Sequence, residues 1–234
     1  MISPIFTTIV IGFLAIMIYM KSSATRFNTG DEKRIREESI ANSVRKQSLD
    51  ELGYINIPFE SLPFKNLPES SSESSPVPSS EISPADPVTT SPEDILKIDE
   101  ANILKLKDSK IVNFTGISNT DLKLKYGAPN LTVLSEYDHN FTDLVKYLDK
   151  WAEDLLEQGF IEDARKVLEF AIECRTDLKS SYTNLADIYV ENFEFDKLDH
   201  ITEIAGELNS IMKEPIIRAL KEKGNINQYM KKKK

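Results

Sequence analysis

A stretch in the C-terminal half of the chain repeats itself with a shift of 34 residues, and this repeat constrains the fold more than any other sequence feature. Apolar residues recur at helical spacing from Thr142 to about Lys223 and form four segments separated by short turns. The turn at Gln158 and Gly159 is too short to allow anything but antiparallel packing of its two flanking helices. Self-similarity at this period is typical of a helical solenoid, although two ordinary helical hairpins that coincide by chance are the alternative. The shift pairs Leu148 with Tyr182, Trp151 with Leu185, Ala152 with Ala186, Leu155 with Tyr189, Ile161 with Phe195, and Ala171 with Ala205.

The repeated units resemble the tetratricopeptide repeat (TPR) family. The first unit, Val145 to Leu178, carries the family's key residue types, whereas the second, Lys179 to about Met212, is degenerate. The matching residues of the first unit are Leu148, Trp151, Ala152, Leu155, Gly159, Ala164, Leu168 and Ala171. The departures are Thr176 for the usual Pro, Phe193 for the turn Gly, Leu198 for a small packing residue and Thr202 for a large apolar one.

The resemblance implies a mainly α fold with antiparallel, TPR-like helix hairpins over residues 142–224. Two units are fewer than the three that such arrays usually need, so we expect flanking capping helices to complete the core. We assign residues 95–141 to an N-terminal capping region. A last helix at Pro215–Lys223 is expected to cap the other end, followed by a basic tail at 225–234.

Within the capping region the residue types predict two helices. Asn119 is suited to cap a short helix that ends near Gly127. Pro129 fits the first turn of a second helix that runs to about His139. The apolar residues between 104 and 114 have no clear period and are compatible with short strands or with a helix edge.

The resemblance also implies a concave groove, lined by the first helix of each unit, that binds peptides or partner proteins. Acidic Glu153 and Asp187 would suit a basic peptide, and they differ from the basic and neutral residues of family members that bind a C-terminal carboxylate. Ordinary solvated helix faces are the alternative interpretation of these positions. The candidate partner-binding residues are Lys146, Asp149, Glu153, Ser180, Thr183, Asn184 and Asp187.

Residues Ile2 to Met20 contain no charged side chain, which predicts a transmembrane helix over residues 1–21. A cleaved signal peptide is the alternative, but no basic region precedes the apolar run, and the run is longer than usual for a signal. Several cations between Lys21 and Arg36 follow it. The positive-inside rule then places the N-terminus outside and the C-terminal domain in the cytoplasm.

A juxtamembrane segment follows at residues 22–67. Residues Asp31 to Lys46 predict a short charged helix, which is largely solvated because a coiled-coil seam would need more heptads. An apolar motif at 52–64 comes next, and its prolines, Pro58 and Pro63, exclude a central strand. Docking on a partner, docking on the chain's own domain and a loosely ordered segment all remain open for this motif.

Residues 68–94 are dominated by Ser, Pro and acidic side chains. Such a composition lacks the apolar surface that would offset the entropy of ordering, so it predicts a disordered linker. Its prolines favour extended conformations, and we expect it to act as a spacer between membrane and domain.

Composition disfavours several functional classes. The net charge of -9 and a pI near 4.9 argue against nucleic acid as a partner. One Cys and two His are too few for a structural zinc site, and we expect Cys174 to be a structural thiol. Catalytic and dinucleotide-binding fingerprints are absent from the sequence, so we predict no enzyme, no cofactor and no metal site. Asn113, Asn130 and Asn140 begin N-x-T triplets, which a cytoplasmic domain would leave unmodified.

Taken together, the segments predict a membrane-tethered adaptor or scaffold that recruits a protein or peptide partner through a small TPR-like domain. The alternative is a structural membrane protein that self-associates through its helical domain. The sequence leaves the oligomeric state and the identity of the partner open.

Overall fold

A computed structural model describes residues 4–65 and 91–231, with side chains described over 11–21, 31–65 and 91–224. Within those ranges every regular element is a helix and no β-strand is present, so the mainly α fold class is confirmed. A short 3-10 helix at Ala128–Asn130 precedes α4. The helices are α1 (Pro4–Ser43), α2 (Pro92–Leu104), α3 (Asn119–Tyr126), α4 (Leu131–Glu157), α5 (Ile161–Glu173), α6 (Lys179–Glu191), α7 (Phe195–Gly206) and α8 (Lys213–Lys231).

The chain forms two compact units that cut across the predicted domain boundaries. Unit 1 consists of Met1–Glu51 with Ile117–Leu134, and unit 2 consists of Leu52–Gly116 with Ser135–Lys234. The predicted capping region 95–141 is therefore shared between the two units.

In unit 1 the C-terminal part of α1 packs on α3. The hydroxyl of Thr120 donates to Glu38 at 2.6 Å, and the ammonium of Lys123 pairs with the same carboxylate. The hydrogen bonds from Lys123 and then Thr120 lower the pKa of Glu38. Gly127 closes α3 at φ 92°, and an added Cβ would lie 2.2 Å from the carbonyl oxygen of Arg45. The charged helix predicted to be largely solvated thus has a packed face, with Ala41 fully buried.

The predicted membrane helix and the predicted charged helix are parts of one continuous helix, α1. Among the residues whose structure is described, no helix combines the length with the apolarity that a bilayer-spanning segment needs. The large apolar side chains between Ile11 and Met20 are each more than half exposed.

Unit 2 is built on the repeated hairpins, and their two turns have the same backbone structure 34 residues apart. The amide of Phe160 donates to the carbonyl of Leu155 at 2.8 Å, and the amide of Glu194 donates to the carbonyl of Tyr189 at 2.8 Å. Three more backbone bonds recur with the same shift: Gln158 to Asp154 with Asn192 to Ile188, Gly159 to Leu156 with Phe193 to Val190, and Ala164 to Phe160 with Leu198 to Glu194. This agreement makes unit 2 compatible with a helical repeat fold.

Helix α8 continues the repeat. It begins at Lys213, which is 34 positions after the first residue of α6. The residues just before α6 and α8 form the same hydrogen bond. The amide of Leu178 donates to Thr176 Oγ1 at 3.2 Å, and the amide of Met212 donates to Ser210 Oγ at 3.1 Å. Helix α8 packs on α6 and α7. The predicted C-terminal helix is therefore confirmed, and it lies in register with the first helix of a third unit.

The apolar motif at 52–64 packs on the helices of unit 2, the unit to which it belongs. We call residues 52–65 the strap. Its Phe64 ring lies 4.9 Å from the ring of Trp151, and its Tyr54 ring lies 5.9 Å from that of Tyr137. Leu62 is buried in the same core as Trp151. Of the three possibilities left open by the sequence, docking on the chain's own domain is the one observed.

Helix α2 and the loop behind it cover the hairpins. The side-chain amide of Gln158, at the end of α4, donates to the carbonyl of Pro92 at 2.9 Å, at the start of α2. The loop 105–116 is irregular, not a strand, and its Ile111 carbonyl accepts the amide of Ile55 in the strap at 2.9 Å. Asn113 in this loop donates to the carbonyls of Cys174 and Arg175 at 3.2 Å, which satisfies the C-terminal end of α5.

Two predicted boundaries differ from those observed. The helices expected at Pro129–His139 and from Thr142 onward form the single helix α4, because no Pro or Gly between Leu131 and Glu157 interrupts it. The predicted linker 68–94 lies outside the described residues except for its last residues. Those residues belong to α2, which Ser91 caps through the amide of Asp94. Of the predicted tail, the backbone of α8 continues to Lys231.

Candidate functional site

The predicted groove residues lie on α4 and α6, and the two helices are neighbours. The carboxylate of Asp149 on α4 accepts hydrogen bonds from the hydroxyls of Ser180 and Ser181 on α6, each at 2.6 Å. Thr183 uses its hydroxyl within α6, on the carbonyl of Ser180 at 3.1 Å. Asp149 and Ser180 therefore join the first helices of the two hairpins, whereas the hydroxyl of Thr183 bonds only within α6.

Three of the predicted residues keep their side chains free for a ligand. Lys146, Glu153 and Asn184 make no side-chain hydrogen bond or ion pair within the described part of the chain. Glu153 is half-buried, and its pKa is raised, first by desolvation and then by the negative charge of Asp149. A cationic ligand group would relieve this repulsion, because it would stabilise the charged form of Glu153.

Asp187, the last predicted residue, contacts α8 through its carboxylate. Its carboxylate forms an ion pair with the ammonium of Lys223, and the Asp187 side chain is 55% exposed. Sequence reasoning missed this pairing because it joins helices of two successive repeats. The repeat shift could have located α8, but not the rotamer that brings Lys223 to Asp187.

The turn end of the hairpins carries a charged cluster that the sequence did not single out. The guanidinium of Arg165 on α5 forms a bidentate pair with Glu194 at 2.9 and 2.8 Å and also donates to Glu169 at 3.0 Å. Lys197 pairs with Glu194 at 2.7 Å, and the hydrogen bonds from Lys197 and Arg165 lower the pKa of Glu194. Tyr189 on α6 donates to Glu169 at 2.9 Å. Because every charge is paired, this cluster holds α5, α6 and the start of α7 together.

A second cluster that sequence reasoning missed is buried between α2 and α4. Asp99, Glu100 and Asp154 are each at most 5% exposed. Desolvation, followed by the hydrogen bond and charge of Asp154, raises the pKa of Asp99 to about 7. The sequence did carry a signal of this burial. Asp99 and Glu100 are spaced from apolar Leu96 and Ile103 so that all four lie on one helix face.

The remaining titratable candidates have no catalytic arrangement in the part of the chain that the structure describes. Burial raises the pKa of the Cys174 thiol to about 12, which keeps it protonated and unreactive. His139 and His200 are exposed and lie near Asp143 and Glu203 on their own helices. No group of three or more His, Cys, Asp or Glu among the described residues could hold a metal ion.

No protein-family model, curated protein or solved structure matches this chain.

Proposed function

We propose that this chain is a membrane-tethered adaptor whose TPR-like unit 2 recruits a protein or peptide partner. The observation that carries the proposal is the register of α4, α6 and α8, which places three first helices side by side at the repeat shift. A surface made of such helices is the binding face of helical repeat arrays. Two of the predicted groove residues, Glu153 and Asn184, have unused side chains on it.

The partner is a basic segment. Asp149, Glu153 and Asp187 contribute carboxylates to α4 and α6, and complementary charge selects the partner and accelerates its association. The raised pKa of Glu153 supports this choice, because a cation is the group whose arrival lowers the cost of its charge.

The test reverses the charge of the groove. Full-length tagged protein, isolated from detergent-solubilised membranes, is expected to bring down a stoichiometric partner. Glu153→Lys with Asp187→Lys is expected to reduce recovery by about tenfold or more, because like charges facing each other cost several kcal/mol. Glu173→Lys with Glu203→Lys is the matched control, since both residues are exposed and lie on second helices. Equal loss in both double variants would contradict the groove assignment.

The tether is the N-terminal helix. The uncharged run from Ile2 to Met20 and the exposure of the large apolar side chains between Ile11 and Met20 support insertion into a bilayer. The expected result is retention in the membrane fraction after alkaline extraction, and release when Ile11, Leu14 and Ile18 are all changed to Lys. Extraction of the unchanged chain into the soluble fraction would refute the tether.

The orientation with unit 2 in the cytoplasm has support from the N-x-T asparagines. The side-chain amides of Asn113, Asn130 and Asn140 all donate hydrogen bonds to backbone carbonyls, and Asn130 is 1% exposed. Glycosylation would replace one hydrogen of each amide nitrogen and place a sugar against these backbone contacts. Digestion of unit 2 by protease added to inside-out vesicles, but not to intact cells, is the expected outcome.

Self-association is the second candidate, and one observation favours it. Phe193 and Ile211, in the loops of unit 2, are 75% and 93% exposed. Sedimentation of the detergent-solubilised full chain distinguishes the two functions, because a monomer at high concentration excludes self-association.

A further inference from the structure

The face that α2 turns towards the protein core is acidic at its centre. Leu96, Asp99, Glu100 and Ile103 are the buried residues of this helix. Their spacing gives a single stripe with apolar residues at its ends and two carboxyls between them. Apolar residues would dock such a helix at lower cost, because burying an ionised carboxyl is expensive unless it is paired. The two carboxyls therefore need partners that offset the cost of their burial.

Glu100 has a structural partner. Its Oε1 accepts the backbone amide of Lys65 in the strap at 3.2 Å, and the ammonium of Lys65 lies over the Phe160 ring at 3.8 Å. This arrangement ties α2 to the strap.

Asp99 faces another carboxyl instead. It lies within hydrogen-bonding distance of Asp154 on α4. The Oδ2 atoms of both residues are buried and have no hydrogen-bond partner among the described residues. Two adjacent carboxylates repel each other, whereas one proton placed between them supplies the missing hydrogen bond. The unsatisfied oxygens thus indicate a shared proton.

The surrounding charges decide which residue holds the proton. Lys150 on α4 forms an ion pair with Asp154 at 2.7 Å, so its ammonium lies on the Asp154 side of the pair. Glu100 on α2 and Glu153 on α4 add further negative charge to this region. Asp99 is therefore the protonated member, and Asp154 is the carboxylate that accepts its hydrogen bond.

We propose that Asp99 and Asp154 form a proton-binding site that controls how firmly α2 docks on α4. With the proton bound, one negative charge is balanced by Lys150 and the oxygens are satisfied. Loss of the proton leaves two negative charges against one ammonium in a buried interface, and docking weakens. Released α2 would uncover Leu96 and Ile103 together with the surface of α4 beneath them. This control is independent of the partner proposed for the groove.

The direction of the pH dependence follows from linkage. In released α2, Asp99 has the ordinary pKa of 3.8, and in the docked state its pKa is about 7. The docked state therefore binds the proton more tightly. Docking is strongest below about pH 4, weakens as the pH rises towards 7, and levels off above it.

Hydrogen exchange of the full-length protein tests the proposal. The protection factors of the α2 amides, each corrected for the intrinsic exchange rate, are expected to fall by about tenfold or more between pH 5 and pH 7.5. Asp99→Asn, which keeps a hydrogen-bond donor and removes the titration, is expected to flatten this dependence. Glu93→Gln is the matched control, because it removes an exposed carboxylate from the same helix and leaves the pair intact. A dependence in Asp99→Asn equal to that of the unchanged protein would overturn the proposal.

A second measurement needs no variant and remains decisive if Asp99→Asn fails to fold. Carbon NMR of protein labelled at the aspartate carboxyl carbons follows each titration directly. One carboxyl is expected to titrate near pH 7, well separated from the exposed aspartates. Titration of every aspartate below about pH 5 would overturn the shared proton.

Discussion

At the scale of single residues, Phe193 has a backbone conformation that its own side chain disfavours. It has φ 60° in the α6–α7 turn, and the equivalent residue in the α4–α5 turn is Gly159 at φ 81°. The left-handed conformation costs a residue with a Cβ roughly 1–2 kcal/mol. The Phe193 side chain is 75% exposed and contacts the Phe195 ring at 6.4 Å between centroids, so packing returns little of this cost.

Phe193→Gly is therefore expected to raise the free energy of unfolding by about 1 kcal/mol. Chemical denaturation followed by circular dichroism measures the change. Gly159→Ala is the matched control, and it is expected to lower the free energy of unfolding. No heavy atom lies within 4 Å of the Cβ it would add, so its loss of stability reports the backbone alone. Destabilisation by Phe193→Gly would show that the exposed ring makes a compensating contact.

At the scale of elements, the strap is the segment whose docking the sequence left open. Phe64→Ala is expected to lower the free energy of unfolding by about 2 kcal/mol, below the range for fully buried phenylalanines because Phe64 is half-buried. Since Trp151 is the single tryptophan and contacts Phe64, its emission should shift to longer wavelength as water reaches it. Glu60→Ala, at an exposed position of the same strap, should change neither quantity. An unchanged spectrum in Phe64→Ala would contradict the packing of the strap on α4.

The pairing of α6 with α8 gives a prediction about binding. Lys223 competes with a basic ligand for Asp187, so Lys223→Ala is expected to tighten binding of the basic partner by about two- to fivefold. Stability should change by less than about 1 kcal/mol, because the pair is partly exposed. Titration calorimetry with the isolated partner measures the affinity, and Lys221→Ala on the same helix is the control. Weaker binding in Lys223→Ala would show that the lysine itself contacts the partner.

Sequence patterns predicted the elements of unit 2 unevenly, for a physical reason. The hairpins were predictable because helical periodicity and the repeat shift are local signals, and the buried pairs Leu148 with Tyr182 and Ala152 with Ala186 confirm both. The strap and α2 were not assigned to the core, because their contacts join distant segments with irregular spacing. The pair of Asp99 with Asp154 was missed for the same reason, since each residue alone resembles a solvated acid.

At the scale of the whole molecule, the predicted groove was only partly recoverable from the resemblance. The family pattern located α4 and α6, and the structure brings Asp149 of α4 directly onto Ser180 of α6. The family pattern could not distinguish residues that join the helices from residues that remain free. The contacts of each side chain depend on its rotamer and on its neighbours, which the pattern does not specify. Lys146, Glu153 and Asn184 remain predicted binding residues on this basis, and Asp149 has a structural role in addition.

We propose that a partner binds the face formed by α4 and α6 while the N-terminal helix holds the chain at a membrane. Photo-crosslinking in intact membranes tests it most directly. A benzophenone side chain is placed at Asn184, one of the predicted groove residues, or at Glu203, which is exposed on α7. We expect one discrete heterologous product from position 184 that is absent from position 203 and is lost with Glu153→Lys and Asp187→Lys. The same products from both positions, or products containing only a second copy of the chain, would contradict it.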